Sequence, residues 1–138
     1  MTEVDILTTW TLEWLKHKDM MVKHIVSIEQ KPGVLLVKKT TGEQKILVLS
    51  HNELKEKMDE IKTGIVCIVM LNTRDTVEEV FQYWTELVKN PALSVIFAHP
   101  TKNEKWALYP TTHDSITEKS VLKKGLFSLF ESVSEWTD

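Results

Sequence analysis

The chain has 138 residues, of which 42% are hydrophobic and 27% charged, and its formal net charge is −3. This length is typical of one domain spanning 1–138, and the composition excludes disordered, collagen-like and membrane-embedded proteins. The acidic balance argues against general nucleic-acid binding, and the lack of a signal peptide or a long apolar run predicts a cytoplasmic protein that does not enter membranes.

The N-terminal segment predicts the first helix. Thr8 and Thr9 are suitable N-cap residues, because a hydroxyl accepts a hydrogen bond from an amide of the first helical turn. Apolar residues recur at helical spacing on one face, which contains Leu7, Trp10, Trp14 and Leu15. We expect this face to pack against the core.

Three strands follow, separated by short turns. The strands cover 24–29, 34–39 and 45–49, and the turns fall at 31–33 and 41–42. Short turns favour an antiparallel meander. Residues 16–45 also contain seven lysines and three acids. This excess indicates either a weakly basic surface or lysines on the solvent side of a helix and a sheet edge.

The middle of the chain predicts a helix and then a buried strand. Ser50 and Glu53 have capping-box spacing, and the apolar residues that follow are Leu54, Met58 and Ile61. Residues 65–71 are apolar throughout, as expected for a central strand covered on both faces. Cys67 is the single cysteine, so an intramolecular disulfide is excluded, and its position predicts a small buried hydrophobe.

The last part of the chain predicts a helix, two strands and a final helix. Thr76 and Glu79 repeat the capping-box spacing, and the apolar stripe of this helix includes Trp84 and ends at Val88. The remaining elements are strands at 93–98 and 106–109, a polar connection at 111–117 and a helix from Glu118.

The predicted element order is α-β-β-β-α-β-α-β-β-α. A helix between the third and fourth strands, and another between the fourth and fifth, imply right-handed parallel crossovers beside the meander. The sequence therefore predicts an α/β (α+β) single domain, with a mixed β-sheet and helices on both of its faces.

The order α-β-β-β-α-β over residues 8–71 resembles the core of the restriction-endonuclease-like fold of the PD-(D/E)xK phosphodiesterases. In that family an acid on the second strand and the acid of a (D/E)-x-K triplet on the third hold Mg²⁺, and the lysine helps to orient or activate water. Here the second strand, 34–37, has no acid, and Glu43 and Lys45 form the triplet at the turn that begins the third strand. The resemblance implies a member of the fold without the nuclease site.

A second set of candidate residues surrounds the last two strands. His99, Trp106 and Tyr109 are candidate binding residues, because binding groups collect at strand ends and in the loops after them. His113 and Asp114 are candidates for acid-base chemistry or, with His99, for a zinc or iron site. Their spacing matches no metal motif, so no metal is expected. Alternatively, Asp114 shapes a turn, His113 packs at the sheet edge, and Trp106 belongs to the core.

Three functional hypotheses remain open. The first is a non-catalytic binding module without a cofactor, which contacts a protein, a nucleic acid or a second copy of the chain through its last strand or last helix. The second is a phosphodiesterase that uses Glu43, Lys45 and Glu29 with Mg²⁺. The third is a small-molecule enzyme built around the two histidines and Asp114. The first is favoured, because no catalytic constellation is complete.

Overall fold

The computed structural model describes residues 2–137 and contains one six-stranded β-sheet whose strands lie in chain order. The strands are β1 (Ile25–Lys31), β2 (Val34–Lys39), β3 (Gly42–Val48), β4 (Val66–Leu71), β5 (Leu93–His99) and β6 (Glu104–Leu108). β1, β2 and β3 pair in antiparallel order, β3, β4 and β5 run parallel, and β6 returns antiparallel to β5. The predicted mixed sheet, a meander followed by parallel crossovers, is confirmed.

Helices cover both faces of this sheet, as predicted. They are α1 (Glu3–Asp19), α2 (Met58–Ile61) with a short 3₁₀-helix before it (Lys55–Lys57), α3 (Arg74–Gln82), α4 (Trp84–Leu87), α5 (Pro110–Ile116) and α6 (Lys119–Glu131). α1 packs on one face, and α2, α3, α4 and α6 contribute to the core on the other. β4 lies between the two cores with all six of its residues buried, which confirms the prediction of a central strand.

α1 begins at Glu3, so the prediction that Thr8 and Thr9 cap it was wrong. Thr2 is the N-cap, and its hydroxyl accepts a hydrogen bond from the Asp5 amide (3.1 Å). The Asp5 carboxylate in turn accepts one from the Thr2 amide (3.0 Å). This reciprocal pair satisfies two amides that the helix leaves without partners, so the helix extends to the earlier site.

Ser50 and Glu53 form only half of the predicted capping box. The Glu53 carboxylate accepts a hydrogen bond from the Ser50 amide (2.7 Å), but the Ser50 hydroxyl donates to the same carboxylate and caps no amide. Asn52 has a φ of 75°, a left-handed conformation that interrupts a regular helix. The helical segment therefore starts only at Lys55.

α3 is capped by Thr73, and the prediction that Thr76 caps it was wrong. The Thr73 hydroxyl accepts a hydrogen bond from the Thr76 amide (3.1 Å), and the Thr76 hydroxyl accepts one from the Thr73 amide (3.3 Å). Glu79 is buried and takes no part in this cap. Its carboxylate accepts hydrogen bonds from the amides of Asn52 (3.2 Å) and Leu54 (3.3 Å). It thereby connects α3 to the turn after β3.

The segment predicted as a polar connection, 111–117, is helix α5 instead. Tyr109 lies outside β6 at the N-cap position of this helix, and Pro110 takes the first helical position, where its missing amide hydrogen has no role. The Thr111 hydroxyl donates to the Val88 carbonyl oxygen (2.7 Å). The prediction was wrong because polar residues of this segment form hydrogen bonds with neighbouring elements, so their polarity does not indicate an irregular connection in solvent.

Candidate functional site

The nuclease-like triplet lies within β3, not in the turn before it, because β3 begins at Gly42. Glu43 and Lys45 share the face of the sheet opposite α1, since alternate residues of a strand point to the same side. The Lys45 ammonium pairs with the Glu60 carboxylate (3.8 Å), which also pairs with Lys57 (3.5 Å). Lys45 is therefore part of a surface ion-pair group.

The strand segments that would carry the metal ligands of a nuclease have no acids. None occurs at 34–37 of β2, and Val48 near the end of β3 is buried on the α1 face. Glu29 shares a cross-strand row with Lys45 but pairs with Lys31 (3.8 Å). Within residues 2–137, no three His, Cys, Asp or Glu side chains form a group that could hold a metal ion.

His99 is buried at the carboxyl end of β5, where it helps to hold the C-terminal residues. Its Nδ1 accepts a hydrogen bond from the Lys102 amide (3.2 Å), and its ring makes an edge contact with Trp136, with 5.2 Å between centroids. Glu104 lies opposite His99 on β6 and accepts a hydrogen bond from the Ser134 amide (2.8 Å). This hydrogen bond is the main reason why the pKa of Glu104 lies below its ordinary value.

Trp106 belongs to the core, so its ring is not presented to a ligand or a nucleic-acid base. Its side chain is 7% exposed and stacks on Phe97, with 4.4 Å between centroids. The indole N–H donates to Asn72 Oδ1 (2.8 Å). Asn72 Nδ2 donates to carbonyl oxygens of the C-terminal residues, which are those of Phe130 (3.3 Å), Val133 (3.2 Å) and Ser134 (3.1 Å).

His113 and Asp114 lie at the other end of the β5–β6 hairpin from His99, so these three residues do not converge on one site. The His113 ring stacks on Tyr109, with 6.4 Å between centroids. The Asp114 carboxylate accepts a hydrogen bond from the Trp84 indole (2.9 Å). Asp114 therefore holds α5 against α4, and it does not shape a turn.

A cavity of about 230 Å³ lies between α1 and the amino ends of the parallel strands. The end of α1 and the segment after it contribute Trp14, Leu15, Lys18, Asp19, Val22 and His24. The sheet contributes Lys39, Gln44, Ile46, Cys67, Ser94 and Ile96. Tyr109, one of the predicted binding residues, also lines the cavity and is 51% exposed. The walls thus combine apolar, hydrogen-bonding and charged groups, as small-molecule sites do.

The charges at this cavity are mostly positive. Lys18 and Lys39 both line it, and neither forms an ion pair with a carboxylate in the described part of the chain. Asp19 also lines it, but its carboxylate accepts hydrogen bonds from the amides of His24 (2.7 Å) and Ile25 (3.1 Å). The backbone amides therefore stabilise the one acidic charge, whereas neither ammonium group has a carboxylate partner among the described residues and that of Lys18 lies over the Trp14 ring (5.1 Å to the centroid).

The Cys67 thiol contributes to the cavity wall as a neutral group. Burial raises the pKa of Cys67, and a hydrogen bond with Ser94 and the charges of Lys18 and Lys39 only partly oppose this effect. The thiol is therefore protonated at neutral pH, and a protonated thiol is a poor nucleophile.

Sequence reasoning missed this cavity, although one signal pointed to it. Leu35 and Val37 are buried on the α1 face of β2, so the alternation of side chains puts Lys39 on that face and Lys38 on the opposite one. The basic stretch at 16–45 is thus divided between two faces and does not form one surface.

Comparison with known proteins gives no relative for this chain: no protein-family model, no curated protein and no solved structure matches it. Among residues 2–137, none of the helices has the length and apolar character needed to cross a membrane.

Proposed function

We propose that this protein is a non-catalytic binding domain whose ligand is a small molecule held between α1 and the amino ends of β3, β4 and β5. The observation that carries the proposal is the cavity itself, since a concave site with apolar walls and a few polar groups is the usual form of a small-molecule site. Its volume is suited to a ligand smaller than a typical drug molecule.

Two further observations support a binding role without catalysis. The neutral thiol of Cys67 lacks the activation that a nucleophilic cysteine requires. No acid occurs at 34–37 of β2 or at Val48 near the end of β3, and apolar side chains cannot bind Mg²⁺. The resemblance in element order to the PD-(D/E)xK fold thus fits a member that has lost metal chemistry and retained its framework.

Nuclear magnetic resonance with small aromatic probes tests the binding function. We expect at least one of benzyl alcohol, benzamide, benzoate and phenyl phosphate to bind with a Kd of about 1 mM or tighter. Binding should shift the amide signals of Cys67, Ser94 and Ile96, while Leu122 on the opposite face stays unchanged. If none of the four probes shifts the cavity signals, the proposed function is wrong.

A matched pair of variants on β3 shows whether the probes occupy this cavity. Gln44 lines it, so Gln44→Trp should fill the space and abolish the shifts. Glu43 is the preceding residue and faces the other side of the sheet, so Glu43→Trp should leave them intact. DNA or RNA cleavage with Mg²⁺ or Mn²⁺ that disappears in Glu43→Ala would instead contradict the non-catalytic assignment.

Self-association along β1 is a second candidate function. β1 is an edge strand, Val26 on it is 68% exposed, and Met21 shortly before it is 88% exposed. An exposed edge strand with apolar side chains favours pairing with a second strand. Sedimentation should show the mass of two chains in the wild type and in Val121→Lys, and of one chain in Val26→Lys. A wild type that sediments as one chain would rule this candidate out.

A further inference from the structure

Building on the function proposed above, we propose that the ligand is a small organic anion whose negatively charged group, a carboxylate or a phosphate, lies between Lys18 and Lys39. Its apolar part then contacts the wall formed by Trp14, Ile46 and Ile96. The inference concerns the class of ligand, so it is separable from the existence of the site.

The first argument is the placement of the two ammonium groups. Lys18 comes from the last turn of α1 and Lys39 from the end of β2, yet both line the same cavity. Both also contribute to the electrostatic environment of Cys67, where their charges favour the thiolate. Two positive charges from separate elements therefore act on one small volume.

The second argument is that this positive charge has no acidic partner at the site. No ion pair within residues 2–137 involves Lys18 or Lys39. The nearby Asp19 carboxylate already binds two backbone amides. An anion that enters the cavity would supply the missing partner, and charge-assisted hydrogen bonds of this kind are stronger than those between neutral groups.

The third argument is the mixed polar and apolar composition of the walls. Neutral hydrogen-bonding groups come from Thr41, Gln44 and Ser94, while aromatic and branched aliphatic side chains provide the apolar surface. An inorganic ion would leave the apolar surface in contact with water. An organic anion satisfies both parts, because burial of its apolar body adds to the interaction of its charged group.

Benzoate and benzamide form the decisive pair of probes, because they have nearly the same shape and differ in charge. Titrations followed by the Cys67 and Ser94 amide signals should give a Kd for benzoate about tenfold lower than for benzamide, which corresponds to about 1.4 kcal/mol. Phenyl phosphate provides the phosphate alternative, and the tighter of the two anions identifies which charged group the site prefers.

Neutral substitutions assign the preference to particular residues. Lys18→Gln and Lys39→Gln should each weaken benzoate binding about fivefold or more and leave benzamide binding unchanged. The matched controls are Lys16→Gln on α1 and Lys38→Gln on β2, which remove the same charge away from the cavity and should change neither Kd. All four residues lie at least partly in solvent, so their substitution should preserve the fold.

The outcomes separate the ligand class from the function. If benzamide binds as tightly as both anions, or if the Lys16 and Lys38 controls lose affinity as much as the two cavity variants, the anion assignment is overturned while the binding function stands. If no probe binds, both proposals are wrong. Tighter binding of either anion that depends on Lys18 and Lys39 supports both.

Discussion

The two ends of the parallel strands differ in how they are closed. At the amino ends of β3, β4 and β5, α1 and the sheet leave a cavity of about 230 Å³. At the carboxyl ends of β4 and β5, the C-terminal residues 132–137 cross from α6 to the opposite face of the sheet, where Trp136 joins the core beneath α1. Asn72 anchors this C-terminal segment.

This arrangement reverses the usual location of ligand sites. In open α/β sheets, ligands normally bind outside the carboxyl ends of the strands. Here His99 and Trp106 at that end contact the protein's own C-terminal segment or the residue that anchors it. Fold topology alone would therefore point to the carboxyl ends of the strands, whereas the cavity between α1 and the sheet lies at the amino ends.

The largest expected effect is loss of the anchor at the closed end. Asn72→Ala removes the acceptor of the buried Trp106 indole and the donor to three carbonyl oxygens, so we expect a loss of about 3 kcal/mol or more in the free energy of unfolding. Urea denaturation measures it. Thr101→Ala, at an exposed position of the same end, should change the stability by less than about 0.5 kcal/mol.

A loss below about 1 kcal/mol in Asn72→Ala would show that the C-terminal segment contributes little to the closed end. Benzoate binding at the opposite end should survive in the folded fraction of this variant, because no hydrogen-bond partner of the Asn72 side chain lines the cavity. That result would establish that the closed end is structural and the open end is the binding site.

The second prediction concerns the shape of Trp136 as opposed to its polarity. Its indole N–H is buried without a hydrogen-bond partner in the described structure, while its ring contacts His99. Trp136→Phe should therefore change the free energy of unfolding by less than about 1 kcal/mol, whereas Trp136→Ala should cost about 2 kcal/mol. Equal losses in the two variants, measured by urea denaturation, would mean that the N–H has a partner or that the ring does not pack.

The difference between the ends also explains which parts of the molecule the sequence could predict. The uninterrupted apolar run of β4 and the short turns of β1–β3 are local signals, and the structure agrees with both. The Asn72 anchor joins residues about sixty positions apart, and no local pattern encodes such a contact. The cap of α3 is Thr73 and not the predicted Thr76, because both positions have cap chemistry and tertiary contacts select between them.

The cavity was harder still to predict. It depends on how α1 lies across the strands, so that Lys18 and Lys39 line the same cavity although they come from different elements. Periodicity could place Lys39 on the α1 face, but it could not place the end of the helix beside it. By contrast, the separation of His99 and His113 follows from a hairpin that the sequence predicts, and the structure puts them at its opposite ends.

A third prediction uses the open end, where Cys67 is buried with a raised pKa. The folded state keeps the thiol proton to higher pH than the unfolded state does, so stability should fall as pH rises above about 9, by at most about 1.4 kcal/mol per pH unit. Cys67→Ala lacks this titration and retains those of the lysines and tyrosines. Its stability deficit, about 1 kcal/mol at pH 7, should therefore shrink above pH 9.

Urea denaturation of both proteins between pH 7 and pH 10 measures the difference. If the stability curves stay parallel over the whole range, the thiol is ionised as easily in the folded state as in the unfolded one. Water would then reach the Cys67 thiol more easily than its burial in the structure indicates.

The smallest expected effect returns to the closed end and concerns the half-buried Glu104. The hydrogen bond from the Ser134 amide lowers its pKa below the ordinary 4.5, so the ionised form helps to hold the C-terminal segment. This contribution is present above pH 4.5 and is lost as pH falls through the lowered pKa of the folded state. Glu104→Gln should therefore increase hydrogen exchange of the Ser134 amide at pH 6, and the difference between the two proteins should be smaller at pH 3, where more of the Glu104 carboxylate is protonated. Glu131→Gln is the exposed acidic control, and an exchange difference that is the same at both pH values would show that the charge of Glu104 has no part in anchoring the segment.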